Sequence, residues 1–372
     1  MNQKPPIIWL NVIVFASTFL IALIGVPLYG YMYGYQVEHY IATVLALGYA
    51  GMSITVGYHR LWAHKAFEAH PVLQFVLALG GAFALQNSAL HWSSDHRVHH
   101  KFVDQNDKDP YSAKKGFWYS HIGWMLREYQ RDTYSDYSNC RDLQKNKIVM
   151  WQHKYYLPLV IATNIGIPLA LGFIFNDVWG MLLMVGVLRL VLSHHFTFFI
   201  NSLAHIWGSQ PYTDKNTARD NGWLALVTYG EGYHNYHHIF EMDYRNGIRW
   251  WQFDPSKWFI KLSSYIGLTS NLKKVSDDKI HAAKLKMQKQ RTENRLKQLP
   301  NANEVLERLE QEYHILAAKL KEFGTAKKEY LIAKKQNASK HILKELKEKY
   351  TQLQQEFEFQ KKQWQTLAIK FA

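Results

Sequence analysis

Four stretches of this chain are long and apolar enough to cross a bilayer: Ile7 to Tyr29, Tyr40 to Tyr58, Tyr155 to Phe175 and Gly180 to Ile200. Each meets the ~20 residues needed to span ~30 Å of hydrocarbon. No soluble single-domain fold accommodates four such runs. A cleavable signal peptide is disfavoured for the first, because only Lys4 precedes it and no A-x-A site follows a shorter apolar core. The short polar linkers place the runs in two hairpins. The segments inside the hairpins, Gly30 to His39 and Asn176 to Trp179, hold no Lys or Arg, whereas Arg60 to Lys154 and the chain beyond Lys215 are rich in them. The positive-inside rule then puts both termini, the large loops and any site they build on the cytoplasmic side of a multi-pass protein. Val72 to Leu90 is also apolar, but Gln86 and Asn87 interrupt it and a crossing there would invert the following basic loop, so it reads as an interfacial or cap-buried helix.

The excess charge belongs to the tail. From Lys273 onward there are 23 Lys and Arg against 13 Asp and Glu, which accounts for +10 of the chain's +14. Leu306, Leu309, Tyr313, Leu316, Leu320 and Phe323 are spaced 3, 4, 3, 4, 3; Leu343, Leu346, Tyr350, Leu353 and Phe357 repeat the rhythm, and Trp364 and Leu367 resume it. This is coiled-coil spacing, with Pro300 and Gly324 as expected breaks between segments that fold back on one another. The organisation is therefore a membrane domain over residues 1–275 and a basic helical coiled-coil tail over 276–372. The tail is a candidate for docking an acidic electron donor, for oligomer formation, for lying on the membrane surface, or for no more than a solvated coiled-coil hairpin. Nothing in the chain points to nucleic acid. Cys140 is the only cysteine, which excludes a disulfide framework and a zinc site built on several thiolates.

Histidine is the functional clue. Nineteen are present, and eight fall in three clusters on the expected cytoplasmic side: His59 and His64; His96, His99 and His100; His234, His237 and His238. Spacings of three and four put each of the last two sets on one helical face. Five residues of an ideal helix turn a side chain by about 140°, so His59 and His64 should straddle a helix end. A lone histidine is most often a hydrogen-bonded core residue, but eight convergent imidazoles exceed what one ion accepts and indicate two metals. Structural zinc closes with four ligands, often thiolates, and H-E-x-x-H is absent, so redox-active iron is favoured. Such a site facing lipid implies oxygen chemistry on an unactivated hydrocarbon, since no ordinary acid or base removes such a hydrogen.

The segments Gly57 to His64 (GYHRLWAH), Asp95 to Phe102 (DHRVHHKF), Asp109 to Tyr111 (DPY), Gly116-Phe117, Ser120 to Met125 (SHIGWM) and Gly230 to His238 (GEGYHNYHH) closely resemble those of the membrane-bound acyl-CoA delta-9 desaturases, the stearoyl-CoA desaturase family. The resemblance covers roughly residues 5 to 275. It implies an all-α membrane protein in which four transmembrane helices in two hairpins carry a helical cytoplasmic cap around a di-iron site. It also implies O2 as co-substrate, two electrons, a cis double bond introduced into a saturated acyl-CoA, and nine histidine ligands. The ninth lies in an N-S-x-A-H element, here Asn201 to His205, so that His205 joins His59, His64, His96, His99, His100, His234, His237 and His238, with Asn201 reaching the second iron through a water. The tunnel residues that correspond are Leu47, Gly51, Gln86, Asn87, Trp92, Thr197 and Phe198. Asp95 and Glu231 are the carboxylates expected to orient ligand imidazoles. Arg60 and Arg97 serve either the acyl headgroup or the charge balance of the metal cap.

Departures from the pattern matter too. Leu47 stands where animal members have a Tyr at the tunnel's far end, with Gly51 one turn later, so a deeper tunnel is expected. Ser94 replaces an Arg, and the basic run after the Gly-Trp element is thinned to Arg127 and Arg131, so Lys114 and Lys115 could instead serve another phosphopantetheine thioester or anionic lipid. No H-P-G-G haem element or Gly-rich dinucleotide fingerprint is present, so the electrons are expected from a separate cytochrome b5-like or ferredoxin-type donor. The competing readings are an acyl-lipid desaturase, a related di-iron fatty-acid hydroxylase or alkane monooxygenase, and a metal-free membrane scaffold.

Overall fold

A computed structural model describes residues 5–129, 135–298 and 302–370, with side chains to residue 366; Lys4, Arg131, Pro300 and the Leu367 side chain lie outside the described residues. The chain divides into two compact units, residues 1–209 with 216–274, and residues 210–215 with 275–372. The first holds four helices with the length and hydropathy of membrane spans: Trp9–Tyr33, Val37–Ala63, Tyr156–Ile174 and Val178–His205. The chain is thus a multi-pass membrane protein. The second and fourth spans run five residues past the ends expected at 58 and 200, carrying His59 and His205 on the helices themselves. Hydropathy stops at the first polar side chains, whereas the helix continues wherever other protein groups receive them.

Every span contains a π-helical turn: Ile21–Gly25, Ser53–Ala63, Ala162–Gly166 and Leu182–Leu188. In the first and third, Pro27 and Pro168 follow directly. A proline inside a helix removes an N–H and crowds the preceding carbonyl, and a widened turn just before it absorbs the misfit. The two hairpins are clasped at the end away from the histidines. Asp177 caps the fourth span through the Gly180 N–H at 2.8 Å, accepts the Tyr29 hydroxyl at 2.6 Å, and lies 3.0 Å from His39 Nε2.

Between the hairpins the chain folds into two helices, Pro71–Ala84 and Ala89–Phe102, bent 80° at the break. The first keeps Val72, Phe75 and Val76 exposed and buries Leu73, Leu77 and Phe83 against the second span. Its C-terminus lies among the spans, where no water can satisfy the last carbonyls of a helix. Side chains do so instead. Asn164 Nδ2 donates to the Ala82 carbonyl, Arg189 Nη1 to Phe83 at 2.7 Å, and His194 Nε2 approaches the carbonyls of Ala84 and Leu85 at 3.1 Å each. Arg189 is fully buried and also donates to Asn164 Oδ1, so its charge sits at the negative end of the helix dipole. Beyond the bend, Ser88 caps the second helix, and the Ala89 N–H donates to Gln152 Oε1. The elbow is held by residues of the third and fourth spans and of the helix Lys147–Lys154, and it aims Ala89–Phe102 with its three histidines.

The second unit packs three helices, Asp277–Leu296, Asn303–Lys335 and Lys340–Lys370. The last two form an antiparallel hairpin: Tyr313 meets Trp364, Phe323 stacks on Phe357, and Tyr330 meets Tyr350. Leu285 and Leu296 of the first helix join Leu309, Leu316, Leu320 and Phe323 in one core. The expected break at Gly324 does not occur. The helix runs straight through it and turns back only at Gln336 to Ser339, with Asn337 left-handed. A Cβ at Gly324 would meet Asp278 at 2.9 Å, so this glycine admits a neighbouring helix instead of ending its own.

Candidate metal centre

The nine histidines of the expected ligand set gather into two groups. His59, His64, His96, His100 and His237 form one; His99, His205, His234 and His238 form the other, and within each group the ring nitrogens lie within 4.8 Å of one another. All nine are buried or nearly so. The helix Ala89–Phe102 serves both groups, giving His96 and His100, four apart, to the first and His99 to the second. The short helix His234–His237 and its cap do the reverse, giving His234 and His238 to the second and His237 to the first.

The first pair straddles the helix end as expected, His59 lying in the last turn and His64 being the C-cap, but the two are not held apart: their rings lie 4.8 Å from each other. The second span is π-helical over Ser53–Ala63, and the His64 N–H donates to the His59 carbonyl at 3.0 Å. An i to i+5 bond stacks residues five apart on one side of the helix.

Outer partners orient several rings. Asp109 Oδ1 accepts from His99 Nδ1 at 2.8 Å. His205 Nδ1 faces Thr217 Oγ1 at 2.8 Å, and that hydroxyl gives its own proton to Asp104 Oδ1, so it accepts from the ring. His59 Nδ1 sits 2.9 Å from Glu231 Oε2, a close ion-pair contact away from the ideal hydrogen-bond direction, and His100 Nδ1 sits 3.1 Å from Glu241 Oε2. A ring that places its Nδ1 proton on such a partner turns a bare Nε2 lone pair inward.

Those inward atoms crowd together. In the second group His99, His238, His234 and His205 form a chain of Nε2 to Nε2 contacts at 3.4, 3.1 and 3.1 Å. With both end nitrogens bare, two protons at most are available for three contacts. In the first group the single Nε2 of His237 faces His59 and His100, both at 3.0 Å, and His64 Nε2 faces His96 Nε2 at 2.8 Å. Hydrogen bonds cannot satisfy these sets, whereas a cation can. Nitrogens bound about 2.0–2.1 Å from one ion at ordinary coordination angles lie about 2.9–3.4 Å apart, and imidazole suits iron, zinc, copper and nickel. Burial, reinforced by neighbouring imidazoles, holds His64, His96, His234, His237 and His238 well below the usual histidine range. His100 falls to about 4, burial outweighing the opposing pull of Glu241. These six rings are therefore neutral at pH 7, as metal ligands must be.

The charge of the surroundings is internal. Burial alone would raise the Glu231 carboxyl, but His59 and Arg60 outweigh it and hold the group below the ordinary range. Glu231 accepts from Arg60 Nε and Nη2 at 3.1 and 2.9 Å and from Asn246 Nδ2 at 2.6 Å, while Arg60 Nη1 also lies 3.0 Å from Asp254. Arg97 pairs with Asp142 through two nitrogens and donates to the carbonyls of Trp62, Ala63 and Asn139. Both arginines thus belong to the cap's own charge balance. Asp95 corrects another expectation: it lies 3.3 Å from His91 Nε2, outside the nine, and Asp109, Glu241 and Asp104 act where it was expected to. Asp109 stands in the D-P-Y segment and Glu241 three residues after His238, so both had a local signal. The Asp104 to Thr217 link, 113 residues apart, had none. Tyr111 was also missed. Its hydroxyl is 3.1 Å from His96 Nδ1 and its ring stacks on His99 at 4.5 Å, so one side chain touches a ligand of each group.

A cavity opens against the first group, with His59 and His96 in its wall. Leu47, Gly51, Ile54 and Thr55 line it from the second span, and Ser193, Phe196, Thr197, Ile200 and Asn201 from the fourth. Trp92 closes one side, its indole stacked on His96 at 4.8 Å. Of the expected tunnel residues, Leu47, Gly51, Trp92 and Thr197 are therefore on the wall. Gln86 acts one step back, donating to Thr197 Oγ1 at 2.9 Å. Asn87 and Phe198 are not on the wall. Asn87 takes a left-handed turn and receives the Ser88 N–H, and Phe198 packs on Phe15 and His194 because the helical period turns Phe196 inward in its place. Val227, Thr228 and Tyr229 line the remaining side, where no expectation had been placed. The other histidines are engaged elsewhere: His194 at the elbow, His121 with His195 and Ser202, and His153 with Ser88.

The family model described as fatty acid desaturase matches residues 36–261. The chain is 43% identical over 307 residues to the probable acyl-CoA desaturase of Schizosaccharomyces pombe, covering 81% of this chain and 62% of that protein. It is 40% identical over 305 residues to acyl-CoA desaturase 1 of Saccharomyces cerevisiae, covering 80% and 58%. It is 34% identical over 275 residues to the sn-2 palmitoyl-lipid 9-desaturase of Nostoc, covering 73% and 92%. The chain spans about six tenths of the length of the two yeast relatives. With the family match spanning most of the membrane unit and both sets of clustered histidines inside it, this chain belongs to the fatty acid desaturase family.

Proposed function

We propose that this protein introduces a cis double bond, at the delta-9 position, into a saturated acyl-CoA, with the nine histidines holding two irons and Asn201 reaching the second through a water. The observation that carries the reading is an apolar cavity whose wall includes His59 and His96, two of five converging imidazoles. Two irons bound there supply the oxidising power: O2, two electrons and two protons take up two vicinal hydrogens of the chain and leave as two waters. The protein's own part is placement. His59 and His96 present one edge of the site directly to the cavity, so a chain lying along the second span passes the metal at one depth. Trp92, pinned flat on His96, and Thr197, pinned by Gln86, both line the cavity and fix the chain's path. Such positioning is needed because one methylene is worth only about 1–3 kcal/mol of discrimination in an apolar pocket.

The active side is cytoplasmic in this proposal, supported by hairpin linkers free of Lys and Arg. A separate cytochrome b5-like or ferredoxin-type protein supplies the electrons. The relative named as a palmitoyl-lipid desaturase supports a second reading, in which the acyl chain is presented on a glycerolipid. Purified iron-loaded full-length protein, given a chemical or enzymatic reductant, is expected to convert stearoyl-CoA or palmitoyl-CoA to the delta-9 alkene. Turnover confined to intact glycerolipid would reject the thioester, and an oxygenated product would reject desaturation.

A further inference from the structure

We infer that Tyr229, which belongs to the segment before the third histidine cluster and to no membrane span, closes the far end of the acyl cavity and sets the longest chain the enzyme accepts. The inference rests on the acyl-chain reading of the cavity given above. The cavity runs along the second span from His59 to Leu47, twelve residues away. Its metal end is marked by His59 and its distal end by Leu47. At that distal end the span offers no plug of its own, since Gly51 leaves a notch and Leu47 is only of moderate size.

The Tyr229 ring fills the notch. A Cβ built on Gly51 would lie 2.1 Å from the ring, closer than any real contact, so the glycine and the tyrosine fit only as a pair. Two bonds hold the side chain along the span. Its carbonyl accepts from Ser256 Oγ at 2.9 Å, and Ser256 Oγ is 2.7 Å from Thr55 Oγ1, which fixes the backbone near Thr55. Its hydroxyl donates to the Leu47 carbonyl at 3.1 Å, one turn beyond Gly51. Tyr229 is also left-handed, with φ of +55°, a conformation costly for a bulky residue and kept where surrounding structure imposes it. The deeper tunnel expected from Leu47 and Gly51 is thereby shortened by a side chain arriving from the cap.

The test uses the full-length, metal-loaded protein with palmitoyl-, stearoyl- and arachidoyl-CoA, each assayed for binding and for alkene formation. Tyr229→Ala is expected to raise the preference for arachidoyl- over palmitoyl-CoA at least about tenfold, since each methylene newly accommodated is worth about 10–200-fold. Tyr229→Phe keeps the ring in its notch and should change the ratio by less than about threefold. Gly51→Ala displaces the ring into the cavity and should shift the preference toward palmitoyl-CoA. If Tyr229→Ala loses its metal, Tyr229→Leu, which retains apolar packing, carries the same expectation. An unchanged chain-length profile in a metal-replete small-residue variant overturns the inference. A wild-type protein that binds these thioesters without forming alkene overturns the desaturase reading instead, and the binding profile of the variants still decides the role of Tyr229.

Discussion

His237→Ala is expected to lower turnover by more than about 100-fold and to strip the metal from one group of imidazoles while leaving the other occupied. The Nε2 of His237 lies 3.0 Å from that of both His59 and His100, and its ring centroid lies within 4.8 Å of those of His59, His64 and His100. Among the described histidines, none other of the first group makes two such Nε2 contacts through one atom. Loss of an outer partner of a metal ligand usually costs 10–100-fold, and loss of the ligand itself should exceed that. His99→Ala is the matched control, because the other H-x-x-H-H helix, Ala89–Phe102, sends His99 to the second group. The two variants should each lose metal but show different residual spectra. Metal analysis with Mössbauer spectroscopy of iron-57-loaded protein separates the sites, and identical spectra for the two would mean that the groups do not hold separate ions.

Glu231→Gln is the second large effect, and it acts through charge. Glu231, Arg60 and Asp254 are almost wholly buried, with side chains 3% or less exposed, and Glu231 supplies one of the two carboxylates that balance Arg60 while it contacts His59. Removing one partner from a buried ion pair costs about 3–5 kcal/mol, and the remaining Asp254 contact places this case near the lower end. The amide also presents an N–H to a ring or guanidinium that needs an acceptor. Metal affinity should fall about 10–100-fold and the thermal midpoint in detergent should drop. Glu241→Gln gives the contrast. That carboxylate also contacts a ligand, His100 at 3.1 Å, but it is 50% exposed, so the affinity loss should appear with little loss of stability. Equal destabilisation in both variants would show that burial of the Arg60 pair does not govern the difference.

The membrane spans and eight of the histidines were legible because each rests on a short-range regularity, an apolar run of sufficient length or imidazoles clustered within five residues, whereas His205 came only from the resemblance of Asn201 to His205 to an N-S-x-A-H element. What escaped the sequence depends on contacts between distant segments. The 80° elbow is held by Asn164, Arg189 and His194 capping carbonyls about a hundred residues away, and nothing local to Ala82 or Arg189 announces that pairing. For His59 and His64 the arithmetic of 3.6 residues per turn gave no shared stripe, and the π-helical turn that brings the two rings together at the helix end leaves no mark in hydropathy. Thr197 and Phe198 both came from the resemblance; Thr197 lines the cavity, whereas Phe198 packs on Phe15 and His194 and Phe196 is on the wall instead. Gly324 was read as a breaker on propensity alone, although a glycine inside a helix often marks the close approach of another. Asp95 was chosen for its nearness in sequence to His96, yet in a helix the residue next to a ligand points elsewhere.

The most direct measurement is the iron content of the purified full-length protein, reconstituted anaerobically and freed of loosely bound metal, together with its Mössbauer spectrum. Two irons per chain are expected, both in nitrogen-rich surroundings, one for each of the two groups of imidazoles. One iron or none at saturation, or irons whose spectra are unmoved by His237→Ala and His99→Ala, would contradict a two-metal site built from these nine side chains.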